Sequence, residues 1–214
     1  MDLIIQGDMD AAMAAFGELP PWFAEVVFTG GTGLLSPGLT SETSIKLDPG
    51  TYAVECYVKM PNGMFHTSMG MIVPLIVTEE VSDGEEPKGS VTINISGETG
   101  FSVDGIFKSG EQMVKVYFED QKVHENFVGH DVSLVKVDDG AALDELEAWI
   151  NWSAPQGLVS PAPEGFTFLG GVNDMPGGYT GYFKVNLDAG NYVLIAEVPN
   201  TSQKNMLVEF SIGE

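Results

Sequence analysis

Apolar and polar residues alternate most clearly over residues 49–77, PGTYAVECYVKMPNGMFHTSMGMIVPLIV. Tyr52, Val54, Cys56 and Val58 fall on one side of an extended chain there, and Ala53, Glu55 and Tyr57 on the other, since successive strand side chains point to opposite faces. The pattern predicts a strand that turns Cys56 to a buried apolar face, a long loop carrying His66, and a second strand opened by Met71. Upstream, residues 3–5 read as a short strand. Asp8 can cap a helix whose Met9, Ala12, Met13 and Phe16 share one face, and Pro20-Pro21 ends it. Residues 26–28 and 44–47 read as further strands, separated by turns at Gly30-Gly31 and Ser36-Pro37-Gly38.

The acidic, polar stretch 79–90, EEVSDGEEPKGS, reads as a linker. It divides the chain into a unit at 1–80, a linker at 81–90 and a second unit at 91–214. In the second unit, strands are expected at 91–95, 101–106, 113–118 and 132–137. A helix capped by Asp139 then carries Leu143, Leu146 and Ile150 on one face. Trp149 and Trp152 fit core packing there.

The C-terminal half repeats the first. Leu47-Asp48-Pro49-Gly50-Thr51-Tyr52 recurs as Leu187-Asp188-Ala189-Gly190-Asn191-Tyr192, an offset of 140 positions, and Gly30-Gly31 recurs as Gly170-Gly171 at the same offset. Ser36-Pro37-Gly38 matches Met175-Pro176-Gly177 with a one-residue shift, and Met71-Ile72-Val73 matches Met206-Leu207-Val208. An order-preserving match of this kind indicates duplication.

Composition narrows the function classes. The 214 residues are 43% apolar, enough to fill a core. Nine basic residues, all lysine, stand against 31 acidic ones, for a formal charge of −22. The charge therefore disfavours nucleic acid and anionic membrane surfaces as partners. The acidity suits solubility of a secreted or envelope protein. One cysteine excludes an internal disulfide. No run of ~18 apolar residues spans a membrane, and Met1-Asp2-Leu3 lacks the basic start of a signal peptide.

Cys56, His66 and Met71 supply a soft thiolate, an imidazole and a thioether, the ligand types of a type 1 copper site. The same three residues are equally a small core cysteine, a loop histidine and a strand-opening methionine. Pro-Gly-Thr-Tyr, a strand ending near Cys56, then His66, then Gly70-Met71 and an apolar last strand resemble the C-terminal part of a cupredoxin of the plastocyanin and azurin type. Nine residues separate Cys56 from His66, where the family usually has only a few. The resemblance implies a mainly β chain of two cupredoxin-like Greek-key β-sandwich units, each with a short inserted helix. It also implies copper held by Cys56, His66 and Met71.

Comparing the copies sharpens this expectation. Cys56 aligns with Ala196, and the loop at 199–205 has no histidine, so the second unit cannot hold a type 1 site. His130 stands where a cupredoxin's first ligand histidine precedes a strand, and it is expected to be a hydrogen-bonded structural residue. His124, beside Glu125, reads as a solvated surface residue. Leu3 matches Leu134 at an offset of 131, so the counterpart of His130 would fall just before Met1, and no counterpart of 91–118 appears. The first unit is thus expected to lack its N-terminal strands, with truncation favoured over completion by another chain or degeneration. Its open side should associate with another chain or pack on the second unit.

Three histidines, with no His-x-His pair and no Gly-x-Ser-x-Gly, supply neither an oxidase copper cluster nor a serine hydrolase. Gly31-Thr32-Gly33 is no phosphate loop. Two expectations remain. One is a non-catalytic extracytoplasmic copper-binding or electron-transfer protein with a redox or protein partner. The other is a metal-free cupredoxin-like binding or structural module of an exported protein.

Overall fold

The computed structural model describes residues 25–80, 84–124 and 128–213. The strand expected at 3–5 and the helix after Asp8 lie outside the described residues. Eleven strands are seen among the rest: β1 Glu42–Ile45, β2 Gly50–Glu55, β3 Ile72–Val77, β4 Val91–Ser96, β5 Gly100–Asp104, β6 Gly110–Phe118, β7 Val132–Val137, β8 Phe166–Val172, β9 Thr180–Leu187, β10 Gly190–Ile195 and β11 Leu207–Ile212. One α-helix, α1, spans Leu143–Ile150.

The molecule is mainly β. One sheet runs β1-β9-β6-β4-β5, a second runs β11-β10-β7-β8, and β2 and β3 form a separate hairpin. Among the described strand pairs only β4–β6 is parallel; the isolated bridge Lys59–Val159 is parallel as well. The two larger sheets pack across a core supplied by Ile93 and Ile95 of β4, Val114, Val116 and Phe118 of β6, Leu134 of β7, Phe183 of β9, and Tyr192 and Leu194 of β10. Along β6 the buried Val114, Val116 and Phe118 alternate with Lys115 and Tyr117, the period of a strand with one face in a core. Along β10 both faces are buried. Tyr192 and Leu194 face the first core, and Val193 and Ile195 pack with Leu146 and Ile150 of α1. Helix α1 and the neighbouring loop thus form a third layer.

The segments before residue 80 are joined to this sandwich. Strand β1 extends the five-stranded sheet by pairing with β9, with Thr43 opposite Phe183. Residues 32–35 run antiparallel along β8, with Thr32 opposite Val172 and Leu35 opposite Leu169. Residues 57–60 lie beside residues 158–160, with Lys59 N–H donating to Leu158 O and Ser160 N–H to Lys59 O. The pairs Thr43–Phe183 and Thr32–Val172 join residues 140 positions apart, the offset of the sequence repeat.

Several local expectations are corrected. Residues 26–28 form no strand, and Val26, Val27 and Phe28 are exposed, since no described segment pairs with them. Gly170-Gly171 is no turn. It lies inside β8 at a register irregularity opposite Ser133 and Val135, where a Cβ on Gly171 would stand 2.0 Å from Val132 O. The matching tight turns are Gly38 and Gly178, with φ of +83° and +85°, so this turn keeps the 140 offset without a shift. Helix α1 begins after Ala142 with no side-chain cap, and Asp139 instead accepts a hydrogen bond from Asn191.

Candidate functional site

Strand β2 ends at Glu55, so Cys56 is the first residue past it. Its N–H donates to Met71 O, and its O accepts from Thr67 N–H and the Thr67 hydroxyl. Those bonds tie the strand end to a 3-10 turn over His66–Met69, closed by Gly70 in the left-handed conformation at φ 95°, a backbone state glycine adopts at little cost. The turn brings the imidazole back over the strand end, and Cys56 Sγ lies 3.5 Å from His66 Nδ1. Met71, linked to Cys56 through its backbone O, follows at the entry to β3.

The expected burial of Cys56 is not met. Cys56 is partly exposed, and Val54 on the same strand is 53% exposed. The hairpin has two strands only, and among the described residues no third strand pairs with it.

The contact is a thiol–imidazole hydrogen bond, and its 3.5 Å length is also the spacing two ligands of one ion would keep. A tetrahedral ion with bonds of about 2.3 Å to sulfur and 2.0–2.1 Å to nitrogen keeps those donors about 3.5 Å apart. A thiol, an imidazole and a neighbouring thioether form a soft set suited to copper. Among the described residues no three His, Cys, Asp or Glu side chains gather to hold an ion, and Met71 is joined to the pair through its backbone, with its side chain exposed. Cys56 and His66 thus offer two donors at ligand spacing, with no third His, Cys, Asp or Glu beside them among the described residues.

A second constellation was not anticipated from the sequence. The Tyr57 hydroxyl lies 2.9 Å from both Glu197 Oε1 and Asn173 Oδ1. Asp131 accepts from Glu197 N–H at 2.8 Å, and its other oxygen is buried without a hydrogen-bond partner. Burial, and then the charge of Asp131, holds the Glu197 carboxyl well above the usual range. Burial does the same to Asp131, with Asp174 adding to it, and burial raises Asp174 to about 7. The Tyr57 hydroxyl is also pushed up, by burial first and then by Glu197.

Lys59 is fully buried. Its Nζ donates to Ala154 O at 3.1 Å and lies 3.5 Å from Trp152 O and Pro155 O. It also sits 5.6 and 5.8 Å from the ring centres of Trp152 and Phe65, within range of cation–π attraction. Burial lowers its pKa to about 8, against an upward pull from Glu197. Here a loop of the first half is clamped onto the second half. The one available signal was positional: Tyr57 follows Cys56 and Glu197 follows Ala196, again 140 positions apart.

The histidines of the second half are not as expected in one respect. His130 is fully buried and hydrogen-bonded, as its sequence context suggests, but its partner is His124, Nε2 to Nε2 at 3.0 Å. His124, partly exposed, is thus one half of a pair.

No protein-family model and no curated protein matches the sequence. Among solved structures, auracyanin B is similar, at 18% identity over 61% of this chain and 93% of that chain, with a TM-score of 0.41. Dithionite-reduced auracyanin from the photosynthetic bacterium Roseiflexus castenholzii matches at 17% identity, 57% and 95% coverage and a TM-score of 0.40. Rusticyanin from Thiobacillus ferrooxidans matches at 13% identity, 78% and 99% coverage and a TM-score of 0.35. At these identities and scores the likeness carries no functional argument, and the description of the fold rests on the strand order and core above. Among the described residues no helix is long and apolar enough to cross a membrane.

Proposed function

We propose that this chain is a duplicated cupredoxin-like protein that binds copper through Cys56, His66 and Met71 and serves as a non-catalytic electron-transfer or copper-binding protein outside the cytoplasm. The observation that carries the copper reading is the 3.5 Å approach of Cys56 Sγ to His66 Nδ1, made by residues ten positions apart. Copper bound there would supply one-electron redox chemistry. The chain's own part is to hold the thiolate and imidazole together through the Thr67 and Met71 backbone bonds. The duplication is supported by contacts between matching positions: Thr43–Phe183, Thr32–Val172 and Tyr57–Glu197 each join residues 140 apart. Such self-matching contacts are those of a two-fold-symmetric pair, here within one chain. On this reading the units at 1–80 and 91–214, with the 81–90 linker, pack as a pseudo-dimer.

Titration of the reduced protein with Cu(I), and of the oxidant-free protein with Cu(II) under visible spectroscopy, tests the site. One equivalent should bind, with a thiolate-to-copper(II) charge-transfer band. Cys56→Ala should abolish the band and the tight binding while leaving the fold intact, since it copies Ala196. Retained affinity and an unchanged spectrum in Cys56→Ala would remove Cys56 from the site and leave the metal-free binding or structural module as the reading.

A further inference from the structure

The outer edge of β2 lacks a neighbour that its counterpart has. In the second half β7 pairs with β10 on one side, Leu134 opposite Leu194 and Val135 opposite Val193, and with β8 on the other, Val135 opposite Phe168. The counterparts of β10 and β8, 140 positions earlier, are β2 and residues 26–28. Among the described residues both are without that neighbour. Strand β2 pairs with β3 alone, and Val26, Val27 and Phe28 are exposed.

The hairpin is open to pairing on one side only. Cys56 N–H donates to Met71 O, and backbone direction alternates along an antiparallel strand, so the N–H and C=O groups of Thr51, Ala53 and Glu55 point away from β3. Neither proline nor lysine guards that edge. The outer edge of β3 carries Pro74, opposite Ala53, and a proline there blocks further pairing. A strand can therefore join the hairpin at β2 and not at β3.

We infer that the edge of β2 is the docking site of the chain's own residues 3–6, which lie outside the described residues. Leu3 matches Leu134 at an offset of 131, and the pairing of β7 with β10 then sets the register: Leu3 opposite Val54, Ile4 opposite Ala53 and Ile5 opposite Tyr52. On its far side the same strand takes residues 26–28, with Ile4 opposite Phe28. The 19 residues at 7–25 that join the two are nine fewer than their counterparts at 138–165, which carry α1. Pairing closes the edge of β2 and leaves its Val54 side uncovered, because Leu194 is covered by the five-stranded sheet and not by β7. A second copy of the chain is the poorer occupant. A formal charge of −22 on each molecule opposes its approach, whereas a tethered segment is held at an effective concentration on the order of a millimolar.

Disulfide trapping in the full chain carrying Cys56→Ala, and therefore no other thiol, tests this register independently of copper. Positions 3 and 54 would face each other as a pair without mutual hydrogen bonds, with Cα atoms about 4.5 Å apart, inside the span of about 4.4–6.8 Å that a disulfide bridges. Leu3→Cys with Val54→Cys should cross-link within one chain on mild oxidation. Ile4→Cys with Val54→Cys, on opposite faces, should not. In the chain without these cysteines, the Ala53 amide should exchange about tenfold or more slowly than in an Ile4→Pro variant, which removes the N–H facing Ala53 O. Cross-links between chains, equal yields from the two cysteine pairs, no cross-link at all, or an Ala53 exchange rate that Ile4→Pro leaves unchanged would each overturn the assignment.

Discussion

Hairpin β2–β3 pairs Gly50 with Val77, Tyr52 with Leu75 and Val54 with Val73. Hairpin β10–β11 pairs Gly190 with Ile212, Tyr192 with Phe210 and Leu194 with Val208. In each, a tyrosine hydroxyl donates to the carbonyl of the aspartate four residues earlier, Tyr52 to Asp48 and Tyr192 to Asp188. In each, the residue after the strand donates its N–H to the methionine that opens the return strand, Cys56 to Met71 and Ala196 to Met206. Burial then separates them. Leu194 is fully buried, whereas Val54 is 53% and Ile76 72% exposed. Local sequence sets turn, register and tyrosine bond, while burial depends on what lies across the hairpin. Strand β10 has β7 beside it, the other sheet on one face and α1 on the other. Among the described residues β2 has only β3.

The largest expected difference lies in the matched positions 194 and 54. Leu194→Ala should cost about 2–5 kcal/mol, the loss of transfer energy plus a cavity in a closed core. Val54→Ala should cost under about 1 kcal/mol, because an exposed side chain forfeits little burial. Chemical denaturation of the two variants measures both. Equal costs would mean that β2 is covered as β10 is.

This contrast explains what the sequence made legible. The strand pattern over residues 91–137 was readable because apolar side chains alternate against one continuous core, and β7 spans the residues expected for it, 132–137. The proximity of Cys56 and His66 was readable from residue types, although the nine-residue gap gave no hint that Lys59 in its middle would be buried. A polar residue is buried by its partners, and those of Lys59 are carbonyls of residues 152–155, far away in sequence. Residues 26–28 read as a strand on apolar content alone, yet pairing is a property of neighbours. For the same reason nothing in the sequence marks Tyr57, Asp131, Asp174 and Glu197, since each is an ordinary surface type until the two halves meet.

The junction between the halves differs from the rest of the molecule in its response to acid. Asp174, Asp131 and Glu197 hold protons more tightly in the folded chain than in the unfolded one. In that case the native state binds more protons, and stability falls as pH rises. The contribution of Asp174 is complete below about pH 4, its ordinary range, and is lost as pH rises through about 7. His130, lowered to about 4, acts in the opposite sense between about pH 4 and 6.5, but it is one group against three. Thermal unfolding should therefore show stability declining as pH rises from 4 to 7. Glu197→Gln keeps an oxygen acceptor for Tyr57 and should flatten the decline. A profile that rises over this window would refute the buried, protonated junction.

The smallest effect concerns the two tyrosine bonds, and it tests whether shared geometry implies shared energy. Tyr192 is 2% exposed, and its hydroxyl both donates to Asp188 O at 2.9 Å and accepts from Asp188 N–H at 3.2 Å. Removing it in Tyr192→Phe leaves two backbone groups short of partners with little water at hand, at a cost of about 1 kcal/mol or slightly more. The Tyr52 hydroxyl makes one bond, to Asp48 O at 2.6 Å, in an exposed setting. Water replaces that bond readily, and Tyr52→Phe should cost only a few tenths of a kcal/mol. Paired denaturant unfolding of the two variants checks the ratio. The shorter bond should be the cheaper to lose, because desolvation of the groups left behind, and not bond length, sets the cost.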